Sequence, residues 1–222
     1  MPFGYVISLD LDDRLAVVVG GGVVAASRVV DLRDAGARVR VVAADVSPEL
    51  RDVVAAEAAH VALHERAWRD GDLAGATIAI ATREEPLDVD GFWGESRDRG
   101  VLAAVLDDLD HADFAAPALV RSGSLRIAIA TAGRAPALAK RLRVHLEETL
   151  GDSAGELVDA LAEARARAGA RDVPFDVWAA RWACALDDLD GLLDMVRAGR
   201  IEALVDRTVD IVTDRRRVEV PA

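Results

Sequence analysis

Asparagine and glutamine are absent from this 222-residue chain, lysine occurs once, at Lys140, and cysteine once, at Cys184. A single cysteine cannot close an internal disulfide, so stability must come from a core, and a reducing cytoplasm is the expected compartment. Cys184 itself is expected as a small buried apolar residue. Long apolar runs are missing too: none approaches the ~18 residues a membrane helix needs, and no charged-then-apolar signal opens the chain. Positive charge is scarce, with 27 Lys and Arg against 39 Asp and Glu and a net charge of −12. Nucleic acid and anionic membranes prefer the opposite sign, so neither is an expected partner. The histidines at 60, 64, 111 and 145 have no cysteine partners at zinc-finger spacing. His60 and His64 have the i, i+4 spacing of a helical metal pair, but they flank "VAL", which reads better as a strand.

What is present is apolar and regularly placed. Hydrophobic residues make up 52% of the chain, enough for one sizeable core, or for a domain of about 100–150 residues with a smaller partner. Short apolar runs at 15–19, 38–43, 60–63, 76–82 and 101–106 read as strands. Helical spacing separates several of them, at 23–35, 47–59 and, more weakly, 88–100. Gly36 is placed to end the first helix, and Ser47-Pro48 to start the second. Strands apolar on both faces that alternate with helices predict a parallel α/β sheet over residues 1–113. A further strand at 124–131 and a helix at 137–150 follow. From 151 the pattern is helical only, over 155–169, 175–199 and 201–214. Soft boundaries near 114 and 150 therefore divide the chain into 1–113, 114–150 and 151–222. "DRRRVEV" near the C-terminus reads as a frayed or partner-paired tail.

The first strand runs into Gly20-Gly21-Gly22-Val23-Val24-Ala25, which fits G-x-G-x-x-A at a strand–helix junction. Phosphate binding needs this pattern. Gly20 permits the tight turn, Gly22 lets a pyrophosphate approach the backbone, and Ala25 keeps the helix close to the sheet. Free N–H groups at the helix start then face the anion. The bland alternative is a tight turn with no ligand. A ribose-binding acid is expected at the end of the second strand, where Ala43 is followed by Asp45; Asp45 serves equally well as a solvated residue before the Ser47 cap. No arginine directly follows that strand, which favours NAD over NADP.

Two local charge patterns stand out. From Phe114 to Leu146 there is no acid, while Arg121, Arg126, Arg134, Lys140, Arg141 and Arg143 all occur. This is a surface stripe paired elsewhere, or an electropositive wall for a polyanionic ligand, with Thr131, Gly133 and Arg134 in its loop. The second pattern is "LAAVLDDLDHADF", residues 102–114, where an apolar strand ends in Asp107, Asp108, Asp110 and Asp113 around His111. A solvated turn, a metal site that includes Asp107 and His111, and a catalytic carboxylate at a cleft mouth all fit. Trp178 and Trp182, four residues apart, read as core or interface packing.

In order and spacing, these segments resemble the NAD-dependent precorrin-2 dehydrogenases of siroheme synthesis, a family that includes the N-terminal module of siroheme synthases. "LAVVVGGGVVAASR", "DLAGATIAIATREE" and above all "VLAAVLDDLDHADFAAPALVRSGSLRIAIATAGRAPALAKRLR" carry the resemblance, which covers residues 4–150. It implies a Rossmann-like domain, a central dimerisation segment and a helical tail in a homodimer. It also implies oxidation of precorrin-2 to sirohydrochlorin with NAD⁺, and in some members chelation of Fe²⁺ as a second substrate. The family's aspartate at the end of its N-x-V-D strand aligns with Asp107, and its threonine after the fourth strand with Thr82, a further cofactor candidate. Arg126, Thr131, Gly133, Arg134 and Lys140 would then meet the substrate's carboxylates. The chain departs from the family at Ala104, in place of asparagine, and at Thr82-Arg83-Glu84, in place of Thr-Asp-Asp. An oxidoreductase acting on another anionic metabolite and a non-catalytic NAD-sensing relative are the rival readings.

Overall fold

The computed structural model describes residues 5–84, 86–169 and 173–214. The chain divides between Ala116 and Pro117 into two compact units.

The first unit is an α/β layer. Strands β1 (Leu15–Val19), β2 (Arg38–Ala43), β3 (Val61–Glu65), β4 (Ala76–Ala81) and β5 (Leu102–Val105) form one parallel sheet in the order β3-β2-β1-β4-β5. Helices α1 (Val23–Asp34), α2 (Pro48–Ala56) and α3 (Val89–Arg99) connect them. Alternation along the strands sorts the core onto two faces. Ala16, Val18, Val39, Val41, Ile78 and Ile80 pack with Ala25, Val29 and Leu32 of α1 and Leu50 of α2. Val17, Val19, Ala79, Ala81, Ala103 and Val105 pack with Phe92 of α3 and with Leu73. Burial on both faces is the reason these strands read as continuous apolar runs. The helix boundaries have local causes. Ser47 accepts a hydrogen bond from the Leu50 N–H at 3.2 Å, with Pro48 in the first turn. Asp88 caps α3 through the Gly91 N–H at 3.0 Å, and Gly100 ends it in a left-handed conformation.

The second unit starts with an antiparallel hairpin, β6 (Ala118–Ser122) and β7 (Leu125–Ile129), turned at Gly123. Helices α4 (Pro136–Leu150), α5 (Ser153–Ala168), α6 (Phe175–Ala185), α7 (Leu189–Arg197) and α8 (Ile201–Thr213) follow. The expected strand at 124–131 is β7; its partner β6 carries no separate expectation in the sequence. The Ser122 hydroxyl ties the hairpin to the helices, donating to the Gly151 carbonyl at 2.7 Å and accepting from the Gly155 N–H at 2.9 Å. Leu157, Ala160 and Ala164 of α5, Leu192 and Val196 of α7, and Leu204 and Val205 of α8 form the core of this unit, with Leu125 of β7 against it.

The helical stretch expected over 175–199 is broken. α6 ends at Ala185, and Asp188 starts α7 by accepting from the Gly191 N–H at 3.0 Å. Cys184 is exposed, contrary to expectation. The side of α6 that turns inward carries Arg181 and Ala185 instead, and the Arg181 guanidinium donates to the Val212 carbonyl. Trp178 and Trp182 meet edge-on at 5.9 Å between centroids and pack on Ala185 and Val212. The "DRRRVEV" tail lies outside the described residues, apart from Asp214.

Candidate dinucleotide and substrate site

The register of the sheet gathers the candidate residues of the first unit. Val19 pairs with Val42 on one side and with Ala81 on the other, and Ala81 pairs with Val105. Four strands therefore finish level. The next backbone groups extend the ladder: Gly20 N–H donates to Val42, Thr82 N–H to Val19 and Leu106 N–H to Ala81, at 2.8–3.0 Å. Gly20, Thr82 and Asp107 thus follow the carboxyl ends of β1, β4 and β5, and Ala43 closes β2. The strand order reverses direction between β1 and β4, and in an open parallel sheet the ligand crevice lies at that switch.

The glycine loop is shaped by close approach. A Cβ on Gly21 would stand 1.7 Å from the Asp45 carbonyl oxygen, and one on Gly22 would stand 2.1 Å from Glu84 Oε1. A side chain at Gly21 collides with fixed backbone, and one at Gly22 would have to displace the seated Glu84 carboxylate. Gly22 starts α1 with no side-chain cap, and Ala25 is fully buried against the sheet. The loop donors converge on one carboxylate. Glu84 Oε2 accepts from the Gly22 N–H at 3.1 Å, the Ala25 N–H at 3.2 Å and the Thr82 hydroxyl at 2.8 Å; Oε1 accepts from the Val24 N–H at 3.1 Å. Burial alone would raise the Glu84 carboxyl. The Thr82 hydroxyl and the three backbone N–H groups outweigh it and hold the group below the usual carboxylate range. The loop therefore grips an anion, as a pyrophosphate site must. Val23 is exposed at the start of α1, and Asp45 is exposed after β2, next to Gly21.

The acidic run after β5 separates into distinct tasks. Residues 108–113 fold back along the edge of β5, with Val105 N–H donating to His111 and Asp113 N–H to Ala103. Asp113 accepts from the Ala103 N–H at 2.8 Å and pairs with Arg97, whose guanidinium lies over Trp93. Burial would raise the Asp113 carboxyl, but Arg97 and the Ala103 N–H lower it. Asp108 bonds His111 Nδ1 at 3.0 Å, with the Arg83 guanidinium 3.7 Å away. The bond to His111 is the main cause that lowers the Asp108 carboxyl. Asp107 makes no side-chain hydrogen bond or ion pair among the described residues. It is exposed, with φ of 61°. That left-handed backbone is unfavourable for a residue with a side chain and concentrates at functional positions.

His111 is thus oriented by Asp108 and the edge of Trp93, at 5.7 Å, instead of by Asp107. Among the described residues no group of three or more His, Cys, Asp or Glu is gathered to hold a metal ion.

The remaining candidates belong to the second unit. Thr131, Ala132, Gly133 and Arg134 form the turn before α4. Ala132 and Gly133 have φ of 50° and 73°, and Thr131 accepts from the Arg134 and Ala135 N–H groups through its carbonyl and hydroxyl. Arg134 and Lys140 are exposed and have no ion-pair partner among the described residues. Arg126 is partly engaged, donating to the Gly123 and Leu125 carbonyls of the hairpin.

Residues 7–118 match the protein family described as "Putative NAD(P)-binding", and the chain belongs to that family. More narrowly, it is homologous to the N-terminal module of siroheme synthase. It is 40% identical to the siroheme synthase of Pseudomonas paraeruginosa over 144 residues, 64% of this chain and 30% of that one. It is 32% identical to the siroheme synthase of Photorhabdus laumondii over 147 residues, 66% and 31% of the two chains. The match thus spans under a third of either relative. A solved structure titled "SirC, precorrin-2 dehydrogenase" shares the fold with a TM-score of 0.67 at 22% identity, covering 91% of this chain and 99% of that one. No helix among the described residues is long and apolar enough to cross a membrane.

Proposed function

We propose that the chain is an NAD-dependent dehydrogenase that oxidises precorrin-2 to sirohydrochlorin. One observation carries the reading. A glycine loop that grips an anion, beside the switch point after β1, and an unpaired, left-handed Asp107, after β5, occupy the same end of one parallel sheet. The siroheme synthase relatives support the choice of substrate.

A nicotinamide bound at this site would supply the acceptor for a hydride from the macrocycle. Gly21, Gly22, Val23 and Val24 would hold the dinucleotide's phosphates by backbone N–H groups, with Gly20, whose own N–H stays on Val42, making the turn, Thr82 beside them and Ala43 and Asp45 on the ribose side. Loss of a hydride leaves a cationic macrocycle that must also lose a proton. Asp107, with no internal partner to satisfy it, takes that proton as general base. Arg126, Thr131, Gly133, Arg134 and Lys140 contribute the donors for the substrate's carboxylates, in keeping with an acid-free stretch in an otherwise acidic chain. The acting species is a homodimer. Leu138 and Leu142, both exposed on α4, belong to its interface, with Leu142 lining a cavity of about 200 Å³ together with Arg141, Val144, His145 and Glu148. Fe²⁺ insertion, which some relatives add, is a separate question to test at Asp107 and at His111, whose ring is held by Asp108 and not by Asp107.

Purified protein mixed with enzymatically made precorrin-2 and NAD⁺ tests the reading. NADH and the sirohydrochlorin spectrum rise together if it holds. Tight NAD⁺ binding without turnover rejects the dehydrogenase and leaves a cofactor-sensing relative.

A further inference from the structure

The glycine loop already holds an anion, and that anion belongs to the chain. We propose that the Glu84 carboxylate competes with the dinucleotide's pyrophosphate, seating itself in the phosphate site and swinging out before a cofactor binds, so that Glu84 sets the apparent cofactor affinity. The inference rests on the cofactor reading above.

The donors are the same ones. The N–H groups of Gly22, Val24 and Ala25 are those that a pyrophosphate at the start of α1 must use, and all three point at Glu84. The space is the same as well. Glu84 Oε1 lies 2.1 Å from where a Gly22 Cβ would be, so the seated carboxylate fills the approach that the glycine leaves open. Two anions cannot share one set of donors at this distance. Bound phosphate and seated Glu84 therefore exclude each other.

Glu84 is brought there by a bend in the chain. Arg83, directly before it, has φ of 57°, a costly conformation for a non-glycine residue. The Arg83 side chain goes to Asp108, not to Glu84. No lysine or arginine pairs with Glu84 among the described residues, and its charge is balanced by backbone N–H groups, the Thr82 hydroxyl and the start of α1. An incoming pyrophosphate offers those donors more negative charge than one carboxylate does. The consequence is quantitative. If Glu84 is seated nine times in ten, the apparent Kd is about ten-fold weaker than that of the open site. The rival account makes Glu84 a permanent cap for α1, which has no other side-chain cap. Under that account its removal destabilises the protein and does not tighten binding.

Calorimetric titration of the whole 222-residue chain with NAD⁺, and separately with inorganic pyrophosphate, decides between them. Three variants are compared with the native chain. Glu84→Ala removes the competitor. Glu84→Gln keeps its length and an acceptor oxygen, so the fold retains a cap. Glu84→Asp keeps the charge but withdraws the reach by one methylene. The proposal expects Glu84→Ala and Glu84→Asp to bind NAD⁺ about ten-fold tighter, Glu84→Gln to fall between, and pyrophosphate to bind the variants more tightly than the native chain. Variants with native circular dichroism that bind NAD⁺ no more tightly overturn it. Tightening in Glu84→Ala without Glu84→Asp also overturns it, because only charge would then matter. Equal NAD⁺ binding by all four proteins removes this proposal and leaves the cofactor reading intact, whereas no binding by any of them removes both.

Discussion

Asp107 and Asp113 lie six residues apart in one acidic run, and their surroundings give them opposite tasks. Asp113 is spent on structure: it caps the open edge of β5 at Ala103 and holds Arg97. Asp113→Asn should cost about 1–3 kcal/mol at neutral pH, the range for a charge-assisted bond broken in a partly buried site. The sign of the pH dependence follows from its lowered carboxyl. The contribution is complete above the ordinary carboxylate pKa of about 4 and disappears as the pH falls through the lower folded value. Denaturant melts of the two proteins should therefore differ at pH 7 and converge in acid; a constant gap would contradict the assignment. Asp107, by contrast, has no internal partner and a strained backbone. Asp107→Asn should lower turnover by about 10²–10⁴-fold while leaving the Kd for NAD⁺ unchanged. Asp107→Gly should melt no lower than the native chain, because glycine accepts φ of 61° without strain. A large loss of stability in Asp107→Gly would show that the left-handed turn is held for packing and not for chemistry.

At the scale of elements, the signals that could be read in advance were local. The glycine loop, the Ser47-Pro48 start and the apolar strands are each complete within a few residues, and the structure forms them where they are written. Ser47→Ala tests one such signal and should cost about 1 kcal/mol of stability through the lost Leu50 bond, seen as a lower Tm. What escaped the sequence was set by partners distant along the chain or by competition between neighbours. Glu84 meets the glycine loop across about sixty residues, and nothing at 82–84 shows which N–H groups it will satisfy. β6 is a five-residue strand whose inward residues are Val120 and Ser122, and the serine disguises the alternation. The break between α6 and α7 follows from Asp188 winning the Gly191 N–H within a stretch whose apolar spacing is otherwise continuous. Cys184 was misplaced because α6 turns an arginine inward, which composition argues against.

For the whole molecule, the architecture is a parallel sheet that ends its strands level and a hairpin-and-helix unit that carries much of the basic stretch. The first has its switch point between β1 and β4, where the proposed cofactor crevice lies. The second carries positive charge in a chain of net charge −12, the sign that the proposed polycarboxylate substrate calls for. If α4 contributes to a homodimer, light scattering should return twice the monomer mass, and Leu138→Arg should reduce it to one. A monomeric native protein would contradict that assembly. Dinucleotide binding should raise the Tm in proportion to the logarithm of its concentration above Kd, by about 2.7 kcal/mol of stability at a hundred-fold excess. The central claim is narrower than any of these, and a single-turnover experiment addresses it most directly. The native protein is mixed with precorrin-2 and NAD⁺, and the full absorbance spectrum is followed. One equivalent of NADH forming in step with one equivalent of sirohydrochlorin is the predicted result; a precorrin-2 spectrum that persists beside protein saturated with NAD⁺ would contradict it.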